Sequence, residues 1–146
     1  MLKNNPRVNL LGYVPDNKLP SLISESEMIV MPNVSSPDKT DAEGFGLVAL
    51  EGPAHGVPCV ASSIEGLQDA VRPSDTGFLV SAEDTDAWVT QVNQILEWDE
   101  KDRKSFSLKA KKCLETYFSW SRVAHDTLKA YQKSLGEKSW EIGYFR

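Results

Sequence analysis

Short, unbroken apolar runs recur along this chain, each closed by a breaker. Residues 28–31 (Met-Ile-Val-Met) stop at Pro32, residues 58–61 (Pro-Cys-Val-Ala) follow Gly56, and residues 77–80 read Gly-Phe-Leu-Val. A run with no polar alternation has no side to turn toward water, so it suits a strand covered on both faces. Residues 8–11 form a further run, closed by Gly12. Helical patterns fill the gaps between the runs. Strands of this kind alternating with helices imply parallel β/α units: an open parallel sheet of about four strands with helices on both faces.

The helical patterns can be placed in order. Pro15-Asp16-Asn17 opens a helix with Leu19, Leu22 and Ile23 on one side. A second apolar helix begins near Gly46 and ends around His55-Gly56, glycine being the usual residue just past a helix end. Residues 65–71 suit one short helix. Asp84 or Thr85 caps a longer one carrying Ala87, Trp88, Val92, Ile95 and Leu96 at helical spacing. The next helix gathers Phe106, Ala110, Cys113, Leu114 and Tyr117. A last helix from near Ser121 gathers Ala124, Leu128, Tyr131 and Leu135. These patterns put Trp88, Phe106, Trp120 and Tyr131 in the core and His125 on the surface. Residues 1–135 read as one domain, and the tail at 136–146 has no clear period.

Bulk properties narrow the functional classes. The 146 residues suit one domain with a real core. A net charge of −5 argues against an electrostatic nucleic-acid binder, which needs a basic face. It leaves room for a phosphate held by backbone groups. Cys59 lies in a strand run and Cys113 on a helix face, so both read as reduced thiols of a cytoplasmic protein, without disulfide or metal spacing. No apolar run reaches the ~18 residues of a membrane span, and the first residues carry no signal-peptide core.

The stretch Glu43-Gly-Phe-Gly-Leu-Val-Ala-Leu-Glu51 concentrates the chemistry. Gly44 and Gly46 let backbone come close to a ligand. The start of an apolar helix offers free N–H groups, which suit an anion. Glu43 and Glu51 flank that start as hydrogen-bond acceptors. A ligand with phosphate in its middle and hydroxyls on both sides, such as a nucleotide-sugar, fits this layout. The stretch also follows the carboxyl end of the strand at 28–31, where open parallel sheets hold their ligands. Lys39 and Arg72 are further candidates for phosphate contact. His55, beside a helix-ending glycine, suits a structural role.

With these motifs in order, the chain resembles the C-terminal, donor-binding part of a GT-B retaining glycosyltransferase of glycosyltransferase family 4 (group 1). Val8-Asn-Leu-Leu-Gly-Tyr-Val14, Met28-Ile-Val-Met-Pro32, the Glu-x7-Glu signature, Gly56-Val-Pro-Cys-Val-Ala61, Gly77-Phe-Leu-Val80 and Phe118-Ser-Trp120 carry the resemblance. It implies a Rossmann-like fold and a nucleotide-diphosphate-sugar donor, with no metal or other cofactor. It implies that Glu43, at the catalytic centre, hydrogen-bonds the donor sugar beside the anomeric carbon. Glu51 would accept from the ribose hydroxyls, and Gly44, Phe45, Gly46, Leu47 and Val48 would hold the sugar and diphosphate. An acceptor-binding N-terminal domain would be the main partner, with the parent protein cytoplasmic or peripheral at a membrane. Two further readings stay open: a non-catalytic nucleotide-sugar-binding module or partner subunit, and a GT-B-fold nucleotide-sugar epimerase.

The chain departs from that pattern in three places. Glu51-Gly-Pro-Ala54 puts a proline inside the helix, which predicts a kink or a short helix. Glu65-Gly66 stands where the family has two glycines. The upstream half, with the Arg and Lys pair that would meet the diphosphate, is missing. The strand at 8–11 would then have to move beside the strand at 28–31 or take partners from a second chain as a homodimer. Trp98, Trp140 and Phe145 are candidates for contact with the missing domain. The fragment alone is expected to bind donor weakly and to transfer nothing.

Overall fold

The computed structural model describes residues 5–34, 44–64 and 66–136. Among these, the elements run α1 (Leu19–Ser24), β1 (Ile29–Met31), α2 (Val48–Ala54), β2 (Cys59–Ser62), α3 (Leu67–Ala70), β3 (Gly77–Val80), α4 (Thr85–Leu96), α5 (Glu100–Tyr117) and α6 (Trp120–Leu135). The strands form one parallel sheet in the order β1-β2-β3. Ile29 pairs with Cys59, and Cys59 in turn with Gly77, so the three strands start level.

The apolar runs explain the layering. All four residues of β2 are buried, as an unbroken run in a central strand requires. Alternate residues serve opposite faces. Cys59 and Ala61 pack with Ala49 of α2 and with Leu67, Ala70 and Val71. Val60 packs the other way, with Val80, Ile95 and, from α4, Ala87 and Trp88. Helices thus cover both faces. Trp98 belongs to the second cluster, its ring 6.1 Å from Phe78 and 5.3 Å from Phe106. At Gly77 the backbones of β2 and β3 approach so closely that an added Cβ would overlap the Cys59 carbonyl oxygen.

Local chemistry sets the helix ends. Asp84 caps α4 by accepting from the Ala87 N–H at 2.9 Å. Asp99 and Asp102 form a reciprocal capping box at the start of α5. Ser119 caps α6, and Gly136 ends it in the left-handed conformation.

Three expectations fail. Residues 8–11 form no strand, and among the described residues the sheet has three strands where about four were expected. Leu10 and Leu11 are exposed, and the segment does not join β1. An apolar run becomes a strand only where a neighbouring backbone takes up its N–H and C=O groups, and no described strand does so here. The edge strand β1 accordingly leaves Val30 exposed. Trp120 and Tyr131 are 86% and 63% exposed, not core. Their helix is amphipathic in sequence, yet none of its residues is buried, because no described element packs on its apolar stripe.

Candidate functional site

Parallel strands joined by helices send every strand's carboxyl end to one rim of the sheet. β1 reaches that rim at Met31, and the described chain resumes at Gly44. The Gly44–Gly46 turn leads into α2, which descends antiparallel to the strands and packs on β1, β2 and α5. The turn and the start of α2 thus stand on the rim, as the sequence predicts.

Each residue of the turn has its own environment. Gly46 is buried with φ +74°, a conformation that costs an L side chain about 1–2 kcal/mol. Its carbonyl accepts from the Ala49 N–H at 2.8 Å, and the Leu47 carbonyl accepts from Leu50 at 2.9 Å. Gly44 is exposed, and a Cβ built there would meet nothing within 4 Å. Phe45 leans on Phe118 from the α5–α6 junction, their centroids 6.2 Å apart and their planes at 58°. Leu47 and Val48 are exposed.

The helix begins at Val48, with Leu47 as its N-cap in helical conformation, two residues past Gly46 and near it as the sequence predicts. It has seven residues and stops one residue after the buried Pro53, the short-helix outcome that a proline breaker predicts. Two turns make a weak macrodipole, so anion attraction here sits at the low end of ~0.3–1 kcal/mol. Glu51 is half-buried in the first turn of α2. Its backbone carbonyl lies 2.9 Å from His55 Nδ1. A carbonyl can only accept, so the ring donates, and His55 closes the end of the helix in the structural role expected of it. Glu43 and Lys39 lie outside the described residues, as do Glu65, Trp140 and Phe145.

The rim also holds polar groups that the sequence did not single out. Ser62 is fully buried at the end of β2, its hydroxyl 3.4 Å from the Met31 carbonyl. The Ser63 N–H donates to Val80 at 2.7 Å, and Gln68 Nε2 donates to the Ser63 hydroxyl at 3.0 Å. Together they fix the turn after β2 at the carboxyl end of the sheet. The paired serines after an apolar strand were the available signal.

Arg72 is held in place by two neighbours. Its guanidinium stacks on Tyr117 at 3.8 Å and lies 3.9 Å from Asp75. Lys109 reaches across from α5 to Asp75 and the Ser74 carbonyl, each at 2.9 Å. These contacts fasten the turn at 72–76 to α5. Burial pushes the Cys59 thiol up to about 12, and burial, with Asp75 adding to it, also raises Cys113. Both thiols stay protonated, which removes them as nucleophiles. A groove of about 460 Å³ lies at the opposite end of the sheet, lined by Glu27, His55, Gly56, Pro58, Arg103 and Ser107 among others. A 2.6 Å ion pair between Glu27 and Arg103 spans part of it. It sits at the amino ends of the strands, where parallel sheets do not hold their ligands.

Comparison with known proteins agrees with this geometry. Residues 1–113 match the family of glycosyl transferases group 1. The chain is 30% identical over 139 residues to D-inositol 3-phosphate glycosyltransferase of Salinispora tropica, covering 95% of this chain and 27% of the relative. It is 34% identical over 125 residues to the enzyme of the same name from Corynebacterium urealyticum, covering 86% and 27%. The chain therefore spans about a quarter of the length of these relatives. Its fold superimposes on sucrose-phosphate synthase from Thermosynechococcus elongatus with a TM-score of 0.69 and 28% identity, covering 89% of this chain and 31% of that one. The open parallel sheet, the rim turn and the match across residues 1–113 agree: the chain belongs to the glycosyl transferases group 1 family.

Proposed function

We propose that this chain is part of the donor-binding domain of a retaining glycosyltransferase, which moves a sugar from a nucleotide-diphosphate-sugar to an acceptor. The observation that carries the reading is the family match across residues 1–113 together with the Gly44–Val48 turn on the carboxyl rim of the sheet. In this reading Glu43 hydrogen-bonds the donor sugar at the reacting centre. Peptide N–H groups from Phe45 to Val48 meet the diphosphate, and exposed Gly44 lets the ligand approach. Glu51, half-buried one turn into α2, accepts from the ribose. Developing charge on the leaving diphosphate is met by fixed backbone dipoles and by cations from elsewhere in the parent protein.

An acceptor-binding domain completes the enzyme. The apolar stripe of α6 and the edge of β1, both uncovered among the described residues, support an attachment of this kind. No described helix is long and apolar enough to cross a membrane, so any contact of the parent with a membrane would be peripheral as far as this part is concerned.

Substitution in the full-length parent tests the reading. Glu51→Ala removes charged hydrogen bonds worth ~1.5–3 kcal/mol and should raise the donor KM about ten- to hundredfold. Glu43→Ala should depress kcat as well. Transfer untouched by both changes would point instead to a non-catalytic module. Release of an epimerised sugar without any acceptor would point to an epimerase.

A further inference from the structure

We propose that Phe118 is a positioning residue for the Gly44–Gly46 turn, linking the start of the last helix to the donor site; the inference rests on the donor-site reading above. At the start of α2 the Ala49 N–H donates to Gly46 and the Leu50 N–H to Leu47, both bonds local to the helix. Phe45 and Gly44 lie beyond those bonds and are exposed. The described ring contact of Phe45 is with Phe118, at 6.2 Å and 58°. A tilted pair at that separation is an attractive arrangement for two aromatic quadrupoles.

Phe118 is itself firmly held. Its N–H donates to Leu114 at 2.9 Å and closes α5, an 18-residue helix. On one side, Tyr117 carries Arg72 at 3.8 Å and Arg122 at 5.2 Å from its ring centre. On the other, Ser119 caps α6. The junction at 117–119 is thus fixed to the turn at 72–76, and through it to the sheet. Phe118 passes that rigidity to the exposed turn whose peptides face the proposed diphosphate. Phe118 touches no reacting atom: it acts through Phe45.

Backbone ¹⁵N relaxation and amide exchange of the free chain read the claim without any ligand. Phe118→Ala should loosen the Gly44 and Gly46 amides while leaving those of β2 and α4 unchanged. Phe118→Tyr, which keeps the ring, should restore them. If Phe118→Ala fails to fold, Phe118→Leu and a double-mutant cycle with Phe45→Ala carry the test, with non-additive changes at Gly46 expected. Unchanged Gly44 and Gly46 amides, or strictly additive changes in the cycle, would overturn the inference. In parallel, titration with uridine or guanosine diphosphate should show about three- to tenfold weaker binding for Phe118→Ala than for Phe118→Tyr, the size of one aromatic pair. A parent chain blind to both diphosphates removes the donor reading, while the relaxation data still decide whether Phe118 orders the turn.

Discussion

At the scale of single residues, the two glycines of the rim turn divide the work. Gly46 is demanded by backbone conformation and Gly44 by open space in front of it. Gly46→Ala should cost about 1–2 kcal/mol in urea unfolding, whereas Gly44→Ala should stay within about 0.5 kcal/mol. Gly77→Ala should also destabilise, by about 1–3 kcal/mol, because β2 and β3 must move apart to admit a methyl group. Cys59 gives a pH prediction. Its folded pKa of about 12 lies above the ordinary 9.0, so the folded state holds its proton where the unfolded chain has begun to lose it. Stability is full below pH 9 and falls as pH rises toward 12. Cys59→Ala should flatten that fall in alkaline thermal melts, and native Cys59 should resist thiol reagents. Glu51, Gly46 and Phe45 were legible in the sequence because breakers and charges punctuate an apolar run. Phe118 was legible only as half of a motif, since its contact lies 73 residues away in the chain and depends on how α5 crosses α2.

At the scale of elements, boundaries followed local chemistry and failures followed missing neighbours. β3 was read to the residue, and α4 to its Asp84 cap. The second helix starts near Gly46 as read, the positive φ there placing the first helical geometry at Leu47. The run at 8–11 and the stripe of α6 were misread for one reason. Hydrophobic period tells which side of an element seeks cover, not whether cover is supplied. Caps can be tested directly: Asp99→Ala breaks the reciprocal box of α5 and should cost about 1 kcal/mol, read from chemical denaturation. Tyr117→Ala should loosen the junction by about 0.5–1 kcal/mol, the worth of an exposed cation–π stack.

At the scale of the whole molecule, the proposed site and the groove lie at opposite ends of the sheet. The carboxyl rim gathers the Gly44–Val48 turn, Glu51 and the serine turn after β2, while the groove of about 460 Å³ lies at the far end. Even millimolar binding needs about 4 kcal/mol, and a two-turn helix supplies under about 1 kcal/mol of it. This chain should therefore bind a nucleoside diphosphate in the millimolar range or more weakly and transfer no sugar alone. An amide-resolved titration with uridine and guanosine diphosphates tests this most directly. Shifts confined to Phe45–Val48 and to the rim at Ser62 and Ser63, saturating no tighter than about a millimolar, are expected. Shifts confined to Gly56, Arg103 and Ser107 in the opposite groove, or low-micromolar binding at any site, would contradict it.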